Sequence, residues 1–500
     1  MNAVRLCAKA HKPGGLCHAN NRPPLVQLLT IALFVALHVH DLYGDPQDTS
    51  SAMPFGRFAL AMVGMVVVLS GAFHGVAWVC GRRMDRRGEF GAVAFADRFM
   101  LSVRVVGVGL LVYALLELGW LRAVRLALGD WVLLDEFVAI SPALALFVLN
   151  WWSMEPVERR VREALLWREL HEGAPVHPPL SRCASVWHHT RHSLLLMLVP
   201  LSAIWSWEEL VVFGSQWLGL VRGNRAVAWW GNWGADAARW IGVLLIFLLT
   251  PAVLRLVWST VRISEGDMRD QALAVAAKYR VRVIGPLLWR THGSVVNAAI
   301  LGLFYPLRYM LFTDALLERL SREEVEGVIA HEIAHVKLRH MIWLALSILA
   351  SSILLGWVLT AVDAARVVPT WVIETWGAGA SLAATLLVFG WVSRRFEWQA
   401  DAFAVRHMSG DAEVVTAQAV TTMQQALRQV AVLNGIPIRR FTFRHGSIAE
   451  RQQRLGSLTG APVHCLPIDS QVWWVKMGAL AVLGLTAAVY AVFAVTALVA

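Results

Sequence analysis

Nine uninterrupted apolar runs dominate the chain, near residues 25–42, 58–80, 99–120, 131–152, 193–213, 239–259, 341–362, 373–392 and 474–499. About 20 apolar residues in a helix cross roughly 30 Å of hydrocarbon. Inside a bilayer every backbone polar group must be paired within the segment, so runs of this length become helices. They commit the chain to a mainly α, polytopic membrane protein with about nine transmembrane helices. Composition agrees, with 57% hydrophobic residues, 16% charged residues and a mean hydropathy of +0.54, far from the soluble globular range. A disordered chain is excluded by that hydrophobicity, and five cysteines in 500 residues cannot staple a disulfide scaffold.

A formal net charge of +10 would point to nucleic acid in a soluble protein, but here the basic residues sort by loop. Arg5, Lys9, Lys12 and Arg22 precede the first run; Arg82, Arg83, Arg86, Arg87 and Arg98 follow the second; Arg159, Arg160, Arg162, Arg168, Arg182 and Arg191 follow the fourth. The intervening loops are poorer in positive charge, and 43–56 has none. Positive loops stay cytoplasmic, which puts the N-terminus inside, the C-terminus outside and the long polar stretches 260–340 and 393–473 on the cytoplasmic face. The expected partner at this point is therefore a lipid bilayer, with no nucleic acid. The first run has no small-residue cleavage site and reads as an uncleaved anchor. Trp151, Trp152, Trp229, Trp230, Trp233, Trp473 and Trp474 lie near run ends, as an interfacial belt requires. The chain turns polar near residue 261, dividing it into 1–260, an N-terminal membrane region of about six helices, and 261–500, with about three.

The first polar stretch contains His331-Glu332-Ile333-Ala334-His335. Ser321 followed three residues later by Glu324 forms a capping box that starts a helix, so the motif is helical. Two histidines at i and i+4 share one face and can bind one zinc ion. Glu332 beside them can take a proton from water acidified by the metal and pass it to a leaving amine. At this composition the pattern arises by chance in about 2% of chains of this length. A catalytic zinc needs a third protein ligand. Glu397, at the start of the second polar stretch, is expected to supply it, with Asp401 one turn on, placed to orient a ligand imidazole. Two spans separate His335 from Glu397, so the chain leaves and re-enters on one side. One Zn2+ per chain is expected.

These residues resemble the membrane zinc metallopeptidases that include the CAAX prenyl endopeptidase and the bacterial heat-shock membrane protease. The resemblance covers roughly 261–460. It rests on Asn297-Ala298-Ala299 with Gly302, Thr313-Asp314-Ala315-Leu316-Leu317, the HEIAH motif, Glu397 to Asp401, and His445-Gly446-Ser447-Ile448-Ala449-Glu450-Arg451. It implies a small cytoplasmic zincin-like α+β peptidase domain of the HExxH gluzincin type. It further implies an edge strand near Asn297 and Ala298 that holds an extended substrate by its main chain, and His445 and Arg451 facing the scissile carbonyl. The family's HPSxxER pattern carries proline where Gly446 stands here. The resemblance implies an integral-membrane zinc metalloendopeptidase acting on membrane-associated or misfolded proteins. The alternative is a catalytically silent scaffold or sensor, and a third reading, an intramembrane protease, would bury HEIAH in an apolar span. Five lysines against forty arginines suggest a bacterial plasma membrane, with the endoplasmic reticulum as the alternative.

Several other residues carry plainer readings. His340 lies five positions past His335, which on a continuous helix turns it away toward the interface. Glu117, Asp135, Glu136, Glu208 and Glu209 line a polar chamber or sit exposed at span ends. Cys7, His11, Cys17 and His18 match no compact metal module and read as a flexible tail. Residues 155–172 read as an amphipathic stretch lying on the cytoplasmic membrane surface.

Overall fold

The computed structural model describes residues 25–43, 53–89, 91–171, 177, 180–217, 221–222, 225–226, 229–293 and 295–499. Cys7, His11, Cys17 and His18 lie outside the described residues. The chain is mainly helical with a small sheet, and it divides into two compact units, Met1–Thr260 and Val261–Ala500.

The first unit contains α1 (Leu25–Tyr43), α2 (Phe55–Arg87), α3 (Gly91–Leu116), α4 (Trp120–Leu128), α5 (Leu134–His171), α6 (Arg182–His189), α7 (Leu196–Trp217) and α8 (Trp229–Val257). A π-helical turn, Thr190–Leu195, joins α6 to α7. Phe73, Leu111, Leu115, Leu146 and Phe147 are fully buried where α2, α3 and α5 pack together. Four polar groups at span ends find partners. Asp135 and Glu136 are buried, and Arg125 donates to both at 2.6 and 2.8 Å. Arg239 meets Glu208 at 2.8 Å, and Trp205 Nε1 donates to Glu209. Residues 155–171 are not a separate surface helix, because α5 continues through them without a break. Val157 and Val161 are buried against α2 and α3, and Arg160 grips Asp85 with two hydrogen bonds. Hydrophobic valines at helical spacing served a bundle here, where the sequence pattern suggested a membrane surface.

The second unit begins with β1 (Thr260–Arg262), α9 (Asp267–Lys278), β2 (Ile284–Trp289), β3 (Ala298–Leu301) and β4 (Tyr309–Thr313). It continues with α10 (Asp314–Arg319), α11 (Arg322–Lys337), α12 (His340–Ala364), α13 (Thr370–Met408), α14 (Ala417–Leu433), α15 (Ile448–Gly456) and α16 (Pro467–Val499). The sheet order is β1-β2-β4-β3, with β2 parallel and β3 antiparallel to β4. β3 is therefore an edge strand. Phe312, Leu316, Ile329, Ile333, Phe396, Val405, Met423 and Leu455 form a core that joins sheet and helices.

Among the described residues, seven helical segments are long and apolar enough to cross a membrane: Phe55–Arg87, Gly91–Leu116, Leu134–Ala164, Arg182–Trp217, Gly234–Val257, His340–Ala364 and Pro467–Val492. The first apolar run forms a shorter apolar helix, Val26–His40, and the eighth forms the first half of α13. With 39 residues, α13 extends about 58 Å at 1.5 Å per residue. One rigid helix thus carries the apolar run and the Glu397 segment together. α11 is not among the seven, so HEIAH does not lie in an apolar span.

The capping box forms as its spacing predicts. Glu324 N–H donates to Ser321 Oγ at 3.2 Å, and Ser321 N–H donates to the Glu324 carboxylate at 2.8 Å. Ser321→Ala removes one half of this exchange at the start of the motif helix. It should lower the stability of the second unit by about 1 kcal/mol, or roughly 2–4 °C in a thermal melt of the detergent-solubilised protein. An unchanged melting temperature would mean that packing alone holds the start of α11.

Candidate metal centre

Three elements bring the polar groups together. α11 presents His331 and His335 one turn apart, with their Nε2 atoms separated by 3.2 Å. α13 presents Glu397, whose carboxylate oxygens lie 3.8 Å from each of those Nε2 atoms. All three ligand atoms fall within 4.8 Å of one another. A tetrahedral zinc with ligand distances of 2.0–2.1 Å separates its donors by about 3.4 Å. The donor set therefore fits one zinc ion in number, chemistry and spacing. Gly327 makes the approach of α11 to α13 close: a methyl group there would meet Met408 Sδ at 2.9 Å.

Asp401 lies one turn beyond Glu397. Its Oδ1 is 3.0 Å from His331 Nδ1, although the angle falls short of a well-formed hydrogen bond. Arg451, from α15, donates to Asp401 through Nε and Nη2 at 2.7 and 2.6 Å, and its Nη1 lies 3.4 Å from Glu397. The resemblance implies that Arg451 faces the scissile carbonyl; its guanidinium is buried and contacts these two carboxylates. His445 is half-exposed, with Nδ1 3.0 Å from Glu397 Oε1.

Burial opposes charge throughout this cluster, and specific neighbours override it. Burial opposes the imidazolium of His331, but Asp401 raises its pKa on balance. His335 is pushed well below the usual range, first by burial, and so stands neutral, as a metal ligand must. Burial also opposes the carboxylate of Glu397, which His445 and Arg451 nevertheless hold well below its ordinary range. Glu332 is pushed up to about 7, chiefly by burial, with the nearby backbone N–H of Ile300 on β3 acting in the opposite direction. A cation held by the three ligands would draw Glu332 back down.

β3 thus sits directly beside the base. Asn297 pairs with Thr313 through both its N–H and its C=O, leaving only its exposed side chain to face outward. Antiparallel alternation with β4 then turns the backbone groups of Ala298 and Ile300 to the open edge. Asn434 fixes the start of the strand by bonding both Val296 N–H and Val296 C=O.

His340 overturns its interfacial reading. It is 2% exposed and stacks on Phe396 at 4.6 Å with an interplanar angle of 2°. Its Nδ1 lies 3.0 Å from His335 Nδ1, and its Nε2 lies 3.0 Å from Gln399 Oε1. Gln399 Nε2 donates to Asp469, which also accepts from Arg406, each at 2.7 Å. The cause is a helix break at Leu338 and Arg339, where Arg339 adopts φ +57°, so α12 restarts in a new direction. Gln399 and Asp469 carry no sequence signal that singles them out. The HEIAH-to-His340 spacing was visible, but its meaning depended on the break.

Residues 268–459 match the model of Peptidase family M48. The chain is 30% identical over 157 residues to a CAAX prenyl protease 1 homolog from Arabidopsis thaliana, covering 28% of this chain and 37% of that one. It is 34% identical over 101 residues to a Protease HtpX homolog from Archaeoglobus fulgidus, covering 19% of this chain and 27% of the relative. The chain thus spans about a third of the length of the curated relatives it matches. The crystal structure of S. mikatae Ste24p aligns over 81% of this chain and 99% of its own, with a TM-score of 0.44 and 13% identity. Residues 268–459 thus match peptidase family M48, in keeping with the membrane metallopeptidases that the sequence resembles.

Proposed function

We propose that this protein is an integral-membrane zinc metalloendopeptidase that cleaves membrane-associated or misfolded polypeptides. The observation that carries the reading is the convergence of His331, His335 and Glu397 beside a half-buried Glu332 close to an edge strand. In this reading residues 1–260 embed the chain in the membrane and 261–500 carry the chemistry. The alternation of basic loops puts the site on the cytoplasmic side of a bacterial plasma membrane, or equally of an endoplasmic reticulum membrane.

His331, His335 and Glu397 would hold the zinc, which when bound supplies Lewis acidity to water and to the scissile carbonyl. An extended substrate adds to β3 through the backbone groups of Ala298 and Ile300, with the Asn297 side chain at its margin. Glu332 takes the proton from the attacking water and returns it to the leaving amine. His445, half-exposed, donates a hydrogen bond to the developing oxyanion. Arg451 and Asp401 hold the ligands, with Arg451 gripping both carboxylates and Asp401 orienting His331.

His340 completes this support. With Nε2 of His335 on the metal side, its Nδ1–H donates to His340 Nδ1, His340 Nε2–H donates to Gln399 Oε1, and Gln399 donates to Asp469. Every donor then meets an acceptor in one direction. His340→Phe keeps the stacking on Phe396 and removes the acceptor. It should weaken zinc binding about 10- to 100-fold, read by chelator competition; unchanged affinity would remove His340 from the metal's support.

Glu332→Gln preserves shape and removes the base. The variant should retain zinc at the wild-type stoichiometry while cleavage of a quenched unfolded peptide falls by about 10²- to 10⁴-fold. Wild type that binds zinc and cleaves neither that peptide nor a solubilised membrane protein would favour the silent scaffold instead.

A further inference from the structure

The loop that carries His445 has chemistry the peptidase reading does not use. Between Asn434 and Ser447 it contains Arg439, Arg440 and Arg444 and no acidic residue. All three arginines are exposed, and among the described residues none forms an ion pair. Between them stand two exposed aromatic rings, Phe441 at 59% and Phe443 at 42%. Exposed rings flanked by guanidiniums that no carboxylate neutralises are suited to a membrane boundary, where rings enter the headgroup layer and arginines meet phosphate.

The loop is also built onto the end of an apolar helical run. Phe443 packs on the end of the apolar half of α13, where a methyl group at Gly390 would meet its ring at 2.7 Å. Its ring centroid is 5.9 Å from that of Phe389. Arg394, the first charged residue after the apolar run, donates to Phe443 C=O at 3.0 Å and lies 5.2 Å from the Phe441 ring. Arg395 stacks on Trp391 at 3.8 Å, continuing the arginine and aromatic band along the same helix. At its far end the loop closes on itself. Thr442 and Gly446 exchange backbone hydrogen bonds at 3.1 and 2.9 Å, enclosing Phe443, Arg444 and His445 in one tight turn. Whatever holds Phe443 and Arg444 therefore also holds His445.

We propose that residues 437–446 form a docking surface for anionic phospholipid headgroups, and that this contact fixes His445 beside Glu397, making the activity dependent on membrane charge. Guanidinium groups bind phosphate oxygens in a fork geometry that an ammonium cannot match. The catalytic consequence rests on the peptidase reading; the lipid contact does not.

The test uses the full chain in nanodiscs of phosphatidylcholine, alone or mixed with phosphatidylglycerol, and compares wild type with the triple variant R439Q/R440Q/R444Q. Amide hydrogen exchange over 437–447 is measured without substrate, and cleavage is measured with an uncharged quenched peptide. In wild type, phosphatidylglycerol should slow exchange by about five-fold or more, the factor that one arginine's attraction to an anionic surface supplies. It should also raise kcat several-fold with little change in KM. Inorganic phosphate added to phosphatidylcholine discs should do neither. The triple variant should match wild type in phosphatidylcholine and gain nothing from phosphatidylglycerol. Equal exchange in both membranes, or lipid-dependent exchange that survives in the triple variant, would overturn the proposal, as would protection by free phosphate alone. Lipid-dependent exchange in a chain that cleaves nothing would leave the contact standing and count against the peptidase reading.

Discussion

The buried pairing of Arg451 with Asp401 and Glu397 is the constraint on which the site depends. Three carboxylates, Glu332, Glu397 and Asp401, gather at one place, and like charges this close repel strongly in a low-dielectric interior. Arg451 is the buried cation that offsets two of them. Removing one partner of such a cluster leaves an uncompensated buried charge. Because Arg451 belongs to α15, Asp401 and Glu397 to α13 and His331 to α11, the pairing also ties together the elements that carry the candidate ligands.

The second constraint is mechanical. α13 runs as one helix from its apolar half into the polar half that bears Glu397, and α12 restarts as an apolar span three residues after α11 ends. The candidate centre therefore lies within a few helical turns of the apolar segments. A substrate anchored in a bilayer would present the chain just outside its own apolar span at about that level. The edge strand β3 lies beside Glu332, and the Thr442–Gly446 turn carries His445 to Glu397.

Much of this was legible because helical spacing is short-range. Ser321 with Glu324, His331 with His335, and Glu397 with Asp401 are pairs three or four residues apart, and such pairs share a face on any regular helix. What failed was long-range or depended on a break. His340 was misread because Arg339, a non-glycine residue with positive φ and no sequence signature, interrupts the helix. Gln399 and Asp469 reach His340 across 59 and 70 residues of chain. Residues 155–171 were read as a surface helix because their valines are equally suited to lipid and to a protein core. Gly446 shows the opposite case: its φ of +74° and its N–H bond to Thr442 are both closed to proline, so the departure from the family pattern reflects a different turn.

The central claim is that His331, His335 and Glu397 together bind one zinc ion. The most direct measurement is zinc content with zinc K-edge absorption on the purified full chain, wild type beside Glu397→Ala. The account predicts about one zinc per chain, bound by two imidazole nitrogens at about 2.0–2.1 Å with the remaining ligands oxygen, and loss of most of that zinc from the variant. Wild type without zinc, a sulfur ligand in the spectrum, or a variant that keeps zinc with an unchanged spectrum would contradict it.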